Sequence, residues 1–189
     1  MNREIAEQMK WICGCLGFVD KLGGLVYTKE YKDPKGKVVK CPFYNDGTEE
    51  SRFTPDENKK SVIYFEERTP EKVVEDSVGT LRMTSEIACI GWLNNRALGK
   101  ADIKAHEAVL PIVKEIVRAN PIHSKPISGL TFEFKEQLKG DKTLFKNYTY
   151  SEFKDYINTP YTVFGIVFTC NWYVPESCIE SMGIGAEIC

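Results

Sequence analysis

Val163-Phe-Gly-Ile-Val-Phe-Thr-Cys-Asn-Trp-Tyr-Val174 is the stretch that decides how this chain folds. Phe164, Ile166, Phe168, Cys170 and Trp172 fall on one face of an extended segment, and Val163, Gly165, Val167, Thr169 and Asn171 on the other. A period of two with one heavily apolar face predicts a strand laid on a core. Thr80 to Leu93 alternates in the same way. Leu81, Met83, Ile87 and Cys89 share one face and Thr80, Arg82, Thr84 and Glu86 the other, which predicts a half-solvated antiparallel strand. Leu130, Phe132 and Phe134 alternate with Thr131, Glu133 and Lys135. Ser61 to Glu67 instead carries Val62, Ile63, Tyr64 and Phe65 in a row, the pattern of a central strand apolar on both sides.

Two helical stripes flank these strands. Ile5, Met9, Ile12, Leu16 and Val19 recur at spacings of four and three, with Asn2 as a candidate cap and Gly23-Gly24 as the stop. Gly14 and Gly17 weaken that helix; they read either as sites of close backbone approach or as a frayed last turn. The second helix is expected from about Asp102 to Ala119. Its buried stripe is Ile103, His106, Val109 or Leu110, Val113, and Ile116 or Val117. Pro111 is expected to kink it, and Asn120-Pro121 to end it.

Gly24–Tyr31 and Val38–Phe43 around Asp33-Pro-Lys-Gly-Lys37 read as a β-hairpin. Residues 45–60 read as a polar loop, 68–79 as a charged connecting loop or arm, and 136–160 as a polar insertion rich in aromatics. The tail from 175 to 189 reads as irregular. The pattern as a whole predicts an α+β fold, an antiparallel β-sheet covered by two helices in the order helix, β-meander, helix, strand. One domain is expected over 1–189, with inserted loops or arms at about 44–60, 68–79 and 136–160.

Composition narrows the class. The chain has 189 residues, 42% hydrophobic and 28% charged, with 25 Lys+Arg against 27 Asp+Glu and a net charge of −2. That is too apolar for global disorder and too balanced for a free-standing nucleic-acid binder. The amphipathic start lacks a signal peptide's apolar run, and the longest apolar stretch is short of the roughly 20 residues of a membrane helix. Neither a prenylation nor a myristoylation signal is present. A soluble protein in a reducing cytoplasm is expected, its seven cysteines mostly thiols packed as small hydrophobes, as for Cys13, Cys89 and Cys170 on apolar faces.

Motifs for chemistry are sparse. Cys13-Gly-Cys15 has no second pair at zinc-finger spacing, so no metal site is assigned. His106 is expected on the buried helical stripe and His123 in a proline-flanked loop, so no catalytic histidine is assigned. Phosphate-cradling and nucleophile-elbow motifs are missing, and no cofactor is expected. The pairs Glu49-Glu50, Glu66-Glu67 and Glu75-Asp76 read as solvated, and adjacent strand residues such as Glu66 and Glu67 cannot form a dyad. Two features suggest contacts with partners. Lys35, Lys37 and Lys40 make a small basic patch that reads either as solvated hairpin lysines or as phosphate contacts. Tyr148, Tyr150, Phe153 and Tyr156 read either as interface aromatics or as a satellite core under a long loop.

The order helix, hairpin, long loop, strand, strand, helix, strand, insertion, strand resembles that of the tail-terminator and tail-completion family of tailed bacteriophages, the head–tail connectors and neck rings. The resemblance runs from Glu4-Ile-Ala-Glu7 through the hairpin, Thr80-Leu-Arg-Met-Thr-Ser-Glu-Ile87 and Ala105-His-Glu-Ala-Val-Leu-Pro-Ile-Val113 to Thr162-Val-Phe-Gly-Ile-Val-Phe-Thr169. The 44–79 and 136–160 insertions are longer than a minimal member needs. The resemblance implies a structural virion protein, assembled in the host cytoplasm as a homo-oligomeric ring in the virion neck or tail. It would contact itself and other neck, tail or portal proteins, with DNA passing through without sequence-specific binding and with no membrane. Tyr148, Tyr150, Phe153, Tyr156, Lys35 and Lys37 are then the candidate oligomer or partner contacts. The alternative is a small cytoplasmic ligand-binding protein or enzyme of α+β class, and a third reading is a nucleic-acid-binding module using Lys35, Lys37 and Lys40.

Overall fold

The computed structural model describes residues 1–77, 79–119, 127–175 and 178. The Asn120-Pro121 stop, His123, Gly183-Ile-Gly185 and Cys189 lie outside them. The fold is α+β. Helix α1 spans Asn2–Gly14, followed by strands β1 (Lys21–Leu25), β2 (Tyr27–Lys32), β3 (Val38–Asn45) and β4 (Glu50–Arg52). Two long strands come next, β5 (Ser61–Ser77) and β6 (Thr80–Asn94), then helix α2 (Ala105–Arg118) and strand β7 (Ser128–Gln137). A short helix, α3 (Asp141–Leu144), and two single 3-10 turns precede the last strand, β8 (Tyr161–Pro175).

The strands form a five-stranded sheet in the order β1-β5-β6-β8-β7 and a separate three-stranded sheet, β2-β3-β4. Every pair in the large sheet is antiparallel except β1 with β5, which is parallel. The expected single strand over 24–31 is therefore two strands. The chain leaves the large sheet at Val26, builds the small sheet, and re-enters at Ser61.

The expected helix boundary at Gly23-Gly24 is overturned. α1 ends at Gly14, and the two later glycines lie inside β1. They are there because other side chains press on that strand. A Cβ on Gly23 would meet the Phe53 ring at 2.7 Å, and one on Gly24 would collide with the Glu7 carboxylate and the Tyr44 ring. Asn2 is not a cap either. It is the first helical residue, 3% exposed, and its amide points into the sheet. It donates to Glu67 (2.8 Å) and accepts from the Ser85 hydroxyl (2.6 Å).

One core lies between the helices and the large sheet. Ile5, Ala6, Met9 and Ile12 of α1 and Ala108, Val109, Ile112 and Ile116 of α2 pack on Ile63, Phe65, Ile87 and Cys89, and on the β8 face formed by Phe164, Ile166, Phe168, Cys170 and Trp172. The α2 stripe resolves to Val109 and Ile116, which leaves Leu110 (64% exposed) and Val117 (44%) facing solvent. His106 is exposed, not on the buried stripe, because the buried arc is centred on Ala108 and Ile112.

A second core covers the opposite face at one end only. Val62, Tyr64, Ala88, Ile90, Trp92 and Val167 of the large sheet meet Cys41, Tyr44 and Phe53 from the small sheet and its flank, and Leu138, Leu144, Phe145, Tyr148 and Phe153 from the 136–160 segment. Residues 68–77, expected as a loop or arm, continue β5 against β6. Pro70 is tolerated because, among the described residues, no strand pairs with the outer side of β5 beyond Phe65, so its missing N–H breaks no ladder there. Residues 45–60 are likewise not all loop: β4 pairs with β3, and Phe53 is 3% exposed. No helix among the described residues is long and apolar enough to cross a membrane.

Candidate assembly surfaces

The aromatic insertion splits into buried and exposed parts. Tyr148 (8% exposed) and Phe153 (0%) are core residues, which corrects their assignment as partner contacts. Phe153 stacks on Phe145 at 4.8 Å with the rings 1° apart, and both stack on Trp92 at 5.7 and 5.3 Å. Phe145, which completes the stack, stood unremarked in the sequence; an apolar Leu144-Phe145 pair in a polar stretch was its only signal. Gly165 of β8 makes room for this cover, since a Cβ there would run into Leu144 and Leu138. Tyr150 is exposed and reaches Asp141 at 3.3 Å. Tyr156 is half-buried, edge-on to Tyr161 at 5.1 Å. Of the four aromatics proposed for contacts, Tyr150 is the exposed one and Tyr156 is partly accessible.

The cover is fastened by a buried carboxylate that the sequence reading placed in solvent. Glu66 is 5% exposed on the second face of β5. It accepts from Tyr148 Oη (2.9 Å) and Asn147 Nδ2 (2.5 Å), and Arg68 Nη1 stands 3.8 Å away. Glu67, one residue on, faces the other way and takes the Asn2 amide, so the two carboxylates are not a dyad. Burial and the neighbouring Tyr64 and Glu66 push the Tyr148 hydroxyl far up; burial and then Glu66 do the same to Tyr64. Both stay protonated, and Tyr148 is the donor to Glu66. A second fastening joins the cover to the small sheet: Glu152 accepts from Arg52 (2.8 Å) and Tyr31 (3.0 Å), and Thr149 exchanges two bonds with Lys40.

Lys35 and Lys37 are exposed at the tip of the β2–β3 hairpin. The Asp33 carboxylate accepts from both of their backbone N–H groups (2.9 and 2.8 Å), which fixes the turn and leaves the side chains outside it. Lys40 pairs with Glu30 at 3.1 Å, so the basic patch is partly neutralised.

Elsewhere, Cys13, Cys41, Cys89 and Cys170 are buried thiols, Cys178 is half-buried and Cys15 exposed. Burial lifts Cys170 to about 12, and contact with Cys13 followed by burial lifts Cys89, so these thiols are inert packing groups. Among the described residues no three His, Cys, Asp or Glu side chains converge on a metal position. An open groove of about 630 Å³ is lined by Gly140, Asp141, Lys142, Thr143, Phe145 and Tyr150.

Two further surfaces are bare. Trp11 (68% exposed), Leu110 and Val117 look outward from the helix layer. The other bare surface is the open half of the large sheet's second face, where Arg82, Thr84 and Glu86 of β6 lie beside Tyr173, Asn171 and Thr169 of β8. Thr131 and Glu133 of β7 continue it on one side, and Lys72 and Glu75 of β5 on the other. No family model matches the chain, and comparison with curated proteins and with solved structures finds no match.

Proposed function

We propose that the chain is a structural virion protein of a tailed bacteriophage, whose copies join edge to edge into a closed ring at the head–tail junction. The observation that carries the ring is the band made by β5, β6, β8 and β7. Its two outer edges lie at the same level of the sheet: β7 pairs inward with Ile166–Tyr173, which pair with Arg82–Cys89, which pair with β5 as far as Glu75. Strand directions alternate across the band, so β7 of one copy would meet β5 of the next antiparallel. Backbone N–H and C=O groups on such edges call for a partner. An interface between unlike edges is heterologous and closes into a ring when its rotation permits. Pro70 and the register shifts near it limit the joint to the rows beyond, from Lys72 onward.

The element order, helix, strands, helix, strand, insertion and final strand, supports the neck or tail-completion setting, with neighbouring virion proteins as partners and DNA in the lumen. Light scattering on the purified protein, with electron microscopy of the particles, tests it. Closed rings are expected, and a strict monomer at all concentrations overturns the proposal. The groove beside Tyr150 favours the second reading, a small-molecule site; ligand-dependent thermal shifts abolished by Tyr150→Ala would establish that instead.

A further inference from the structure

The small sheet has one long edge that the fold leaves unused. Its centre is β3, which pairs with β2 from Tyr27–Phe43 to Lys32–Val38 without a register shift. The other side of β3 is closed by β4 at Phe43–Asn45 and by Thr149. Thr149 N–H donates to the Lys40 carbonyl at 3.0 Å, and Lys40 N–H donates to the Thr149 hydroxyl at 2.8 Å. Both backbone groups of Lys40 therefore face away from β2, and its pair with Glu30 is a non-hydrogen-bonded one. Such pairs alternate with bonded ones along an antiparallel ladder. Thr28, Glu30 and Lys32 thus turn their N–H and C=O groups outward from β2. All three residues are exposed, and among the described residues no strand pairs with that edge. Open edges are commonly blunted by a bulge, a proline or a covering segment. β2 has neither bulge nor proline, and its guards are lysines. The hairpin from Tyr27 to Phe43 carries five lysines against two carboxylates, Glu30 and Asp33. Lys29 pairs with Glu50, and Lys40 with Glu30. Lys32, Lys35 and Lys37, at the turn end of the edge, are exposed and stand in none of the ion pairs among the described residues.

We propose that the β2 edge takes an extended acidic segment of another protein as a fourth strand of the small sheet. The incoming main chain bonds to Thr28, Glu30 and Lys32, and its carboxylates lie beside Lys32, Lys35 and Lys37. In strand addition of this kind the backbone bonds give affinity and the flanking side chains give specificity. The lysines act in both directions. They repel a second copy of the same edge, so β2 does not pair with β2, and they admit a strand of opposite charge. Charge complementarity therefore selects the occupant. This joint lies on a different sheet from the β5 and β7 edges and does not depend on the ring.

The test separates strand pairing from charge attraction. A fluorescein-labelled peptide of alternating glutamate and threonine is titrated with the full chain and read by anisotropy. It is compared with the same peptide carrying lysine for glutamate, and with the acidic peptide methylated at every backbone amide. The plain acidic peptide is expected to bind at least tenfold tighter than either, and K32E/K35E/K37E is expected to reverse the preference between acidic and basic peptides. Thr28→Pro leaves every charge in place. The N–H it removes faces outward, so the β2–β3 ladder stays intact while the ring blocks the edge. It is expected to lose at least tenfold in affinity with an unchanged circular dichroism spectrum. An acidic peptide that binds no better than its methylated form, or no better than the basic peptide, overturns the proposal. If Thr28→Pro does not fold, the methylated peptide carries the same comparison. Light scattering reads the remaining occupant: self-association that K32E/K35E/K37E abolishes puts a second copy on this edge and overturns the proposal as well.

Discussion

The two faces of the large sheet are covered by different means. On one, α1 and α2 lay regular apolar stripes over Phe164, Phe168 and Trp172. On the other, a small sheet and a run of short turns cover Tyr64 and Trp92 with single aromatic side chains. The helical cover is made of many interchangeable aliphatic contacts. The irregular cover depends on a few rings and one buried carboxylate. Regular cover is therefore expected to tolerate substitution by degrees, and irregular cover to fail at named residues.

Truncating the rings gives the largest expected effects. Trp172→Ala and Trp92→Ala remove fully buried side chains from opposite faces, and each is expected to cost about 4 kcal/mol in chemical denaturation. Phe153→Ala is expected to cost about 3 kcal/mol; a loss under about 1 kcal/mol breaks the comparison by showing that the cover is not part of the cooperative core. Glu66→Ala strands Tyr148, Asn147 and Arg68 without their shared acceptor and is expected to cost about 3 kcal/mol, whereas Tyr148→Phe removes one bond to a charged group, for about 2 kcal/mol. Hydrogen exchange sharpens the contrast: E66A should raise exchange in 138–157 while leaving α1 and α2 protected.

Alkaline pH separates the faces less strongly. Cys170 titrates near 12 when folded, above its usual range near 9, and Tyr64 and Tyr148 are raised above theirs near 10. A raised folded value means that the unfolded chain loses its proton first. The contribution of these three groups is then constant below about pH 9 and falls as pH rises from there toward 12 and beyond. Tyr148→Phe should flatten part of that fall above pH 10, and Cys170→Ala the part that begins near pH 9. The smallest effect belongs to the open half-face, where Thr84→Ala and Thr131→Ala are expected to change stability by less than about 0.5 kcal/mol.

How much of this was legible in the sequence follows the same division. The alternations in β6 and β8 assign the right residues to the helix-covered face, and Leu130 and Phe132 of β7 join them, but Phe134, third in the same alternation, is 47% exposed where the β7 register shifts. The helices are legible as stripes but not at their ends. Asn2 matches a cap by type, yet Ser85 and Glu67, more than sixty residues away, claim its amide. Gly23-Gly24 looks like a helix stop, but the Phe53 ring and the Glu7 carboxylate that require those glycines are distant in the chain. His106 sits at a spacing that fits two neighbouring arcs of α2, and packing chose the other. The irregular cover has no period to read. Tyr148 and Phe153 show the same pattern whether buried or exposed, and Glu66 gives no hint that Tyr148 and Asn147 will fold over it.

β8 has a consequence for how the chain is made. It lies between β6 and β7 in the sheet but follows both in the chain. Its pairing with β6 joins Thr80 to Pro175 and Asn94 to Tyr161. Until residues 161–175 have left the ribosome, the strand that belongs between β6 and β7 does not exist, and both carry open edges and an unfilled apolar face. The central sheet therefore cannot close until residues 161–175 have emerged. A nascent chain stalled ahead of Tyr161 is a substrate for chaperones, and premature joining of copies through those edges is the failure that late insertion of β8 must outrun.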